Sequence, residues 1–307
     1  MTTTPIARHD VSALRIEQAL KDIRHRASSY WHTMYYDRYT DELPHRMRDA
    51  LLDHVAARTV ADPEPDTEPS SLVLRTAAQC ALGILSLTAY PYGDQHVSFS
   101  LIGERLSSED LEFGDNVGEA ASAATWLNAF ALAVVSGIIW ERERGIGPML
   151  REDYAPDIRN GLPASHLEPQ SDPGELAEMA AVCAYIAPAP GLPSEWPSAA
   201  LCIPTADERA EAVRQLDAID VPTPDQRLLR VLLDDDQAAF EQALEERLVQ
   251  YRESAPADAA PRSLLPHRTI ALAALAVQVH GWHLGTRSAY LPQELLQAPE
   301  SAPPVRC

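Results

Sequence analysis

Along most of the chain, apolar residues recur every three to four positions, the spacing that puts them on one face of a helix. The pattern begins in 11–27 with Leu14, Ile16, Ala19, Leu20 and Ile23 and continues through 28–58. There Pro44, after Leu43, suits the first turn of a new helix. Three segments are apolar nearly all round: about 71–90, 119–141 and 265–280. A helix without a polar face has to be covered on every side. These three are therefore expected at the centre, wrapped by amphipathic neighbours.

Capping signals mark several of the neighbours. Asp172, Pro173 and Glu175 open a helix to about Ala187. Thr205 with Glu208, and Thr223 with Gln226, predict capping boxes for helices to about Ile219 and Leu233. Residues 236–252 place Phe240, Leu244, Leu248 and Tyr251 on one stripe and Glu241, Glu245 and Glu246 outside it. Residues 264–280 are almost wholly apolar, and Gly281 is placed to end that helix in a left-handed cap. Proline and glycine predict loops at 61–70, 145–171, 188–204 and 256–261. Val97 to Leu101 alternates with period two and is the one strand expected.

The fold class expected is all-α: a multi-helix bundle or a solenoid-like array around three apolar central helices, with at most one minor β element. It is expected as one helical domain over 1–297, divisible into an N-terminal segment over 1–60 and a main helical core over 71–297, with a flexible tail at 298–307. The 21 uncharged residues 120–140 are long enough to span a bilayer. Ser122, Thr125, Asn128 and Ser136, many alanines and no flanking Lys/Arg pattern favour a buried soluble helix instead.

Composition adds charge. The 307 residues carry 25 Lys/Arg against 45 Asp/Glu, a formal net charge of −20. Nucleic-acid binding requires basic surface and is disfavoured. The charge is uneven: residues 204–253 hold six Arg against thirteen Asp/Glu, while residues 1–50 hold eight basic against seven acidic side chains. Such an excess keeps a protein soluble or offers a face to a basic partner. Cys80, Cys183, Cys202 and Cys307 form no CxxC pair, so neither a disulfide framework nor a zinc site is expected. Met1 to Asp10 shows no apolar stretch of signal-peptide type, and a cytoplasmic location is expected.

No residue pattern announces a reaction. Ser98 and Ser100 lack a GxSxG context, and Gly114 and Gly118 form no phosphate loop. His280 and His283, with His267 upstream, stand near metal-ligand spacing, but Gly281 ends the helix between them, so no metal and no cofactor are expected. Trp31, His32, Tyr35, Tyr36 and Asp37 form an aromatic, titratable cluster that could line a ligand pocket or dock a helix on the bundle. Asp234, Asp235 and Asp236 could meet a cation or a basic partner, or simply turn the chain and cap the next helix.

Two segments carry a family resemblance. Ala124 to Ala133 (ATWLNAFALA) resembles the central helix of the immunity protein 49 family of bacterial polymorphic toxin systems. Leu228 to Phe240 (LLRVLLDDDQAAF) is similar to the family's C-terminal region, with Leu244, Tyr251, Leu265-Pro266, His280-Gly281-Trp282, Ser288 to Pro292 and Leu295-Leu296 following in order. The resemblance spans about 120–296. It implies an all-helical, non-catalytic immunity protein that binds and blocks a cognate toxin domain in the cytoplasm. The charge suits a basic toxin, and the acidic positions Asp234, Asp235, Asp236, Glu241 and Glu245 are the expected partner-binding face. The alternatives are a ligand-binding protein or enzyme using the 30–39 region, and a helical interaction scaffold.

Overall fold

The structure, a computed structural model, describes residues 5–37, 39–61, 68–111, 117–141, 145–168, 170–187 and 201–302. Most of the loop expected at 188–204 therefore lies outside the described residues, as do 62–67 of the loop expected at 61–70.

The chain is mostly helical. Helices α1 (Ala13–Leu20) and α2 (Ile23–His32) meet at Asp22, which adopts a left-handed φ of 39° and so breaks the helical run expected over 11–27. A π-helical turn, Thr33–Asp37, continues α2, and α3 (Glu42–Ala61) begins two residues before Pro44. Next come α4 (Glu68–Ala89), β1 (His96–Phe99), β2 (Glu104–Ser107), α5 (Ser108–Leu111) and α6 (Ala123–Val135). The expected loop at 145–171 instead holds α7 (Ile146–Pro148), a π-helical turn and α8 (Ala155–Asn160). Its glycines and prolines punctuate short helices: Gly145 and Gly161 take φ of 58° and 104° at their ends, and Pro156 sits in the first turn of α8. The remaining helices are α9 (Pro173–Cys183), α10 (Ala206–Asp217), α11 (Pro224–Leu232), α12 (Gln237–Glu253) and α13 (His267–Gln278). Both predicted capping boxes form, at Thr205/Glu208 and Thr223/Gln226, and Gly281 is left-handed with φ 71°.

The three apolar helices are central, as expected. α4 packs between α3 and α6, and α6 packs between α4 and α13, with α9 on a further side. Within α6, Trp126, Leu127, Phe130 and every residue from Ala129 to Val135 are buried. Its alanines let neighbours approach closely, while Trp126 stacks on Phe130 at 5.4 Å and donates its indole N–H to the Leu150 carbonyl at 2.9 Å. The uncharged run 120–140 is not one long helix. α6 stops at Val135, Ser136 Oγ donates back to the Leu132 carbonyl, and Gly137 at φ 76° turns the chain into a 3₁₀ turn, Ile138–Trp140. Among the described residues one helix, over Ser70–Ala89, is long and apolar enough to cross a membrane, and 83% of its apolar window is buried inside the protein.

A solenoid touches only sequential neighbours; this chain closes on itself. Ile6 bridges Ser288, and the His9 amide donates to the Tyr290 hydroxyl at 2.8 Å, 281 positions away. The 3₁₀ turn Pro261–Leu264 packs against α3. The molecule is a closed bundle.

The single strand expected at 97–101 is half of an antiparallel hairpin, with Val97 opposite Leu106 and Phe99 opposite Glu104. The partner, Glu104–Ser107, shows only one buried apolar residue, Leu106, too little for period-two alternation to register. α4 holds the hairpin turn: Gln79 exchanges two hydrogen bonds with Ser100 (2.8 and 2.9 Å), and the Leu101 amide donates to Thr76 Oγ1 at 2.9 Å. Gly83 allows this approach, since a Cβ there would lie 2.5 Å from a Val97 methyl. Gly83→Ala is therefore expected to cost about 1–3 kcal/mol. Adding Val97→Ala should make the Gly83 change far less damaging, which denaturant unfolding of the two singles and the double would measure.

Candidate functional site

The acidic residues singled out by sequence meet structural partners. The α11–α12 connection is held by Asp234, whose carboxylate takes Arg230 at 2.6 Å. Asp235, left-handed at φ 60°, accepts from Arg209 at 2.9 Å and pairs with His280 Nδ1 at 2.7 Å. Burial alone would raise the Asp235 carboxyl, but His280 and Arg209 hold it below its ordinary value. Asp236 caps α12 through the amides of Ala238 and Ala239 at 2.9 and 3.1 Å. Farther along α12, Glu241 accepts from Gln237 at 2.7 Å and from the Gly285 amide at 2.9 Å, and Glu245 is half-buried on the helix surface. His280 also bonds the Tyr185 hydroxyl at 3.0 Å, while His283 is exposed.

The aromatic cluster is a surface ledge. Trp31 stacks on Tyr35 at 5.1 Å and 18°, Tyr36 meets Tyr35 edge-on at 4.8 Å, and His32 lies 4.6 Å from Tyr36. The Trp31 indole N–H donates to the Arg105 carbonyl at 2.9 Å, pinning the end of α2 to the hairpin. Tyr36 is 63% exposed, and His32 and Asp37 are exposed as well. Stacking of this kind docks α2 on the hairpin and presents ring faces to solvent.

A third group, which sequence reading missed, lines a cleft of about 380 Å³ where α3, α12, α13 and the turn Pro261–Leu264 converge. Arg48, Arg247, Arg262 and Arg268 enter it, with Asp49, Asp225, Asn128, His267 and Tyr251. Asp225 takes Arg247 in a two-pronged pair (2.8 and 3.1 Å) and the Thr269 hydroxyl at 2.7 Å. Burial opposes the Asp225 charge, yet these donors hold its carboxyl below the ordinary value. Arg268 bonds Glu178 at 2.5 Å, Arg262 bonds Asp53 at 3.0 Å, and Arg48 bonds the adjacent Asp49 at 2.7 Å. His267, 3.2 Å from Asn128 Oδ1, is pushed down to about 4 by burial and then by Arg48 and Arg268. The sequence held one faint signal: the buried helix α13 starts His267-Arg268, where the helix dipole favours acids.

The profile of the immunity protein 49 family matches residues 64–295, 232 of the 307 residues (295 − 64 + 1). The match begins well before the 120–296 span of the resemblance and includes α4, the hairpin, α6 and every helix through α13. No curated protein and no solved structure matches the chain.

Two measurements follow from the cleft's electrostatics. Arg247 and Asp225 side chains are 11% and 16% exposed, so breaking the pair leaves a buried charge. Asp225→Asn is expected to cost about 3 kcal/mol, and replacing both partners by apolar residues should cost less than the sum of the singles. The folded protein leaves His267 neutral down to about 4, while the unfolded chain protonates it at 6.5. Stability should therefore fall by at most about 3 kcal/mol as pH drops through that window. His267→Gln should flatten this part of a urea-midpoint-against-pH curve; an unchanged slope would reject the assignment.

Proposed function

The chain belongs to the immunity protein 49 family, and from that membership we propose that it binds a bacterial toxin domain and neutralises it by occupancy, with no catalytic cycle of its own. Family membership is the observation that carries this. Two features support it. Asp234, Asp235, Asp236, Glu241 and His280 are held in ion pairs, a helix cap and hydrogen bonds, which suits a preformed binding surface. The net charge of −20 would steer a basic toxin domain towards it. The place of action proposed is the cytoplasm of the producing cell, where a toxin would otherwise reach its own host.

On this proposal the acidic face of α12 contributes through its field. Asp235 and Asp236 are poor positions to probe it, because changing them removes structural contacts. Glu245 and Glu246 sit on the surface of the same helix and are better suited. Expression of the neighbouring toxin gene should kill cells lacking this protein and spare cells making it. Purified protein and toxin domain should form a stoichiometric complex by calorimetry, and failure to bind any neighbouring toxin domain would reject the proposal. Glu245→Lys with Glu246→Lys should slow association several-fold at low salt and flatten its salt dependence while changing the dissociation rate little.

A further inference from the structure

The cleft at the start of α13 is unusual for so acidic a protein. Four guanidinium groups line it against two carboxylates, Asp49 and Asp225; the other two carboxylates that hold its arginines, Asp53 and Glu178, anchor Arg262 and Arg268 without lining it. The first turn of α13 forms one wall. That helix has no acidic residue in its first turn and no side-chain cap, because Pro266 occupies the N-cap. The amides of His267, Arg268 and Thr269 have no hydrogen-bond acceptor among the described residues. The Arg268 Nε–H is buried, again without a partner among them. Positive groups thus converge from α3, the Pro261–Leu264 turn and the positive end of α13. No carboxylate among the described residues accepts from those α13 amides; Asp225 reaches that turn through the Thr269 hydroxyl at 2.7 Å and leaves the amide donors themselves open.

Unpaired donors at a helix N-terminus together with arginine forks make a site for an anion. From the convergence of Arg48, Arg262, Arg268 and the α13 amides on one cleft, we propose that the cleft binds a phosphate group carried on a small organic molecule. Phosphate fits better than carboxylate because the donors approach from three separate elements. A planar two-oxygen group faces one fork, whereas a tetrahedral dianion presents three oxygens in different directions. The rest of the ligand would lie against Leu52 and Leu265, the leucines of the same lining. A volume of about 380 Å³ is enough for a phosphate and a ring-sized body. Burial first, and Arg48 and Arg268 after it, depress the His267 imidazole, and a bound dianion would offset the arginine part. The proposal concerns a small-molecule site and does not depend on the toxin-binding one.

The test is titration of the full-length protein by calorimetry at constant ionic strength, with inorganic phosphate, phenyl phosphate and acetate as probes. Expected is saturable one-to-one binding of inorganic phosphate, at least fivefold tighter binding of phenyl phosphate, and no binding of acetate at the same concentrations. Arg48→Gln and Arg262→Gln should each weaken phenyl phosphate binding at least tenfold, while Arg105→Gln, on the hairpin, should leave it unchanged. Circular dichroism would show whether each variant is folded, and Arg48, paired with its sequence neighbour Asp49, is the change least coupled to the fold. Bound phenyl phosphate should also raise the His267 pKa, read by NMR titration of its imidazole. Absence of saturable phosphate binding would overturn the proposal, as would equal affinity in the folded Arg48→Gln protein. Equal binding of acetate would overturn the phosphate assignment.

Discussion

The structure depends on the need to cover α6 on every side. A helix whose sequence is ATWLNAFALAVV after its first alanine offers no face to water. Burying it requires α4 on one flank, α13 on another and α9 on a third. α4 and α13 are themselves apolar nearly all round, so each needs its own outer layer. α3 and the hairpin supply it for α4, and α11 contributes to it for α13. The amphipathic helices follow from this demand: α1 and α2 lie on α3, α12 lies on α11, and α10 lies on α9. Closure of the chain, with Ile6 beside Ser288 and His9 hydrogen-bonded to Tyr290, seals the arrangement.

Covering apolar helices is simple except at their ends, where backbone polar groups and long side chains meet. At one end of α13 the covering elements bring four arginines and four carboxylates into close quarters, and each guanidinium finds an acid. Taking such charges out of water is costly unless geometry and hydrogen bonds compensate. The two-pronged Asp225–Arg247 pair and the Thr269 hydroxyl do so for one of them. The same crowding leaves the α13 amides and Arg268 Nε without acceptors among the described residues. The cleft is where the burial of three helices and the satisfaction of their polar ends are hardest to reconcile.

How much of this could be read from the sequence depended on whether the signal was local. The three central helices, the capping boxes at Thr205 and Thr223 and the glycine cap at Gly281 were all legible, because propensity, periodicity and capping act within a few residues. Two errors came from punctuation. Gly145, Pro156 and Gly161 read as a loop although they bound short helices, and Gly137 went unweighted although it cuts the 120–140 run. The break at Asp22 was missed because a single aspartate, although tolerant of a left-handed φ, also fits within a helix. The cleft was illegible for another reason. Its residues come from positions 48–52, 128, 225, 247–251 and 260–269, and only the fold brings them together.

The acidic turn shows why a charge count is not a map of a binding face. Three consecutive aspartates look like an exposed acidic patch. In the structure one is paired with Arg230, one with Arg209 and His280, and one caps α12. Each carboxylate is committed to holding α11, α12 and the segment after α13 in register, so a partner that took one of them would first have to break an internal contact. The excess of acid over base still exists and acts at a distance, through the field of the whole molecule, where it speeds encounter more than it tightens contact. Tight contact calls for side chains that the fold leaves free and rigid. In this chain the clearest is Tyr36, 63% exposed and braced by the half-buried rings of Tyr35 and Trp31, the latter tied to the Arg105 carbonyl. They lie in a stretch of the chain that precedes the family match at residue 64. The acid is spread over most of the chain after residue 50, whereas these rings lie within 31–36. A net charge therefore steers encounter without fixing which side chains make the contact.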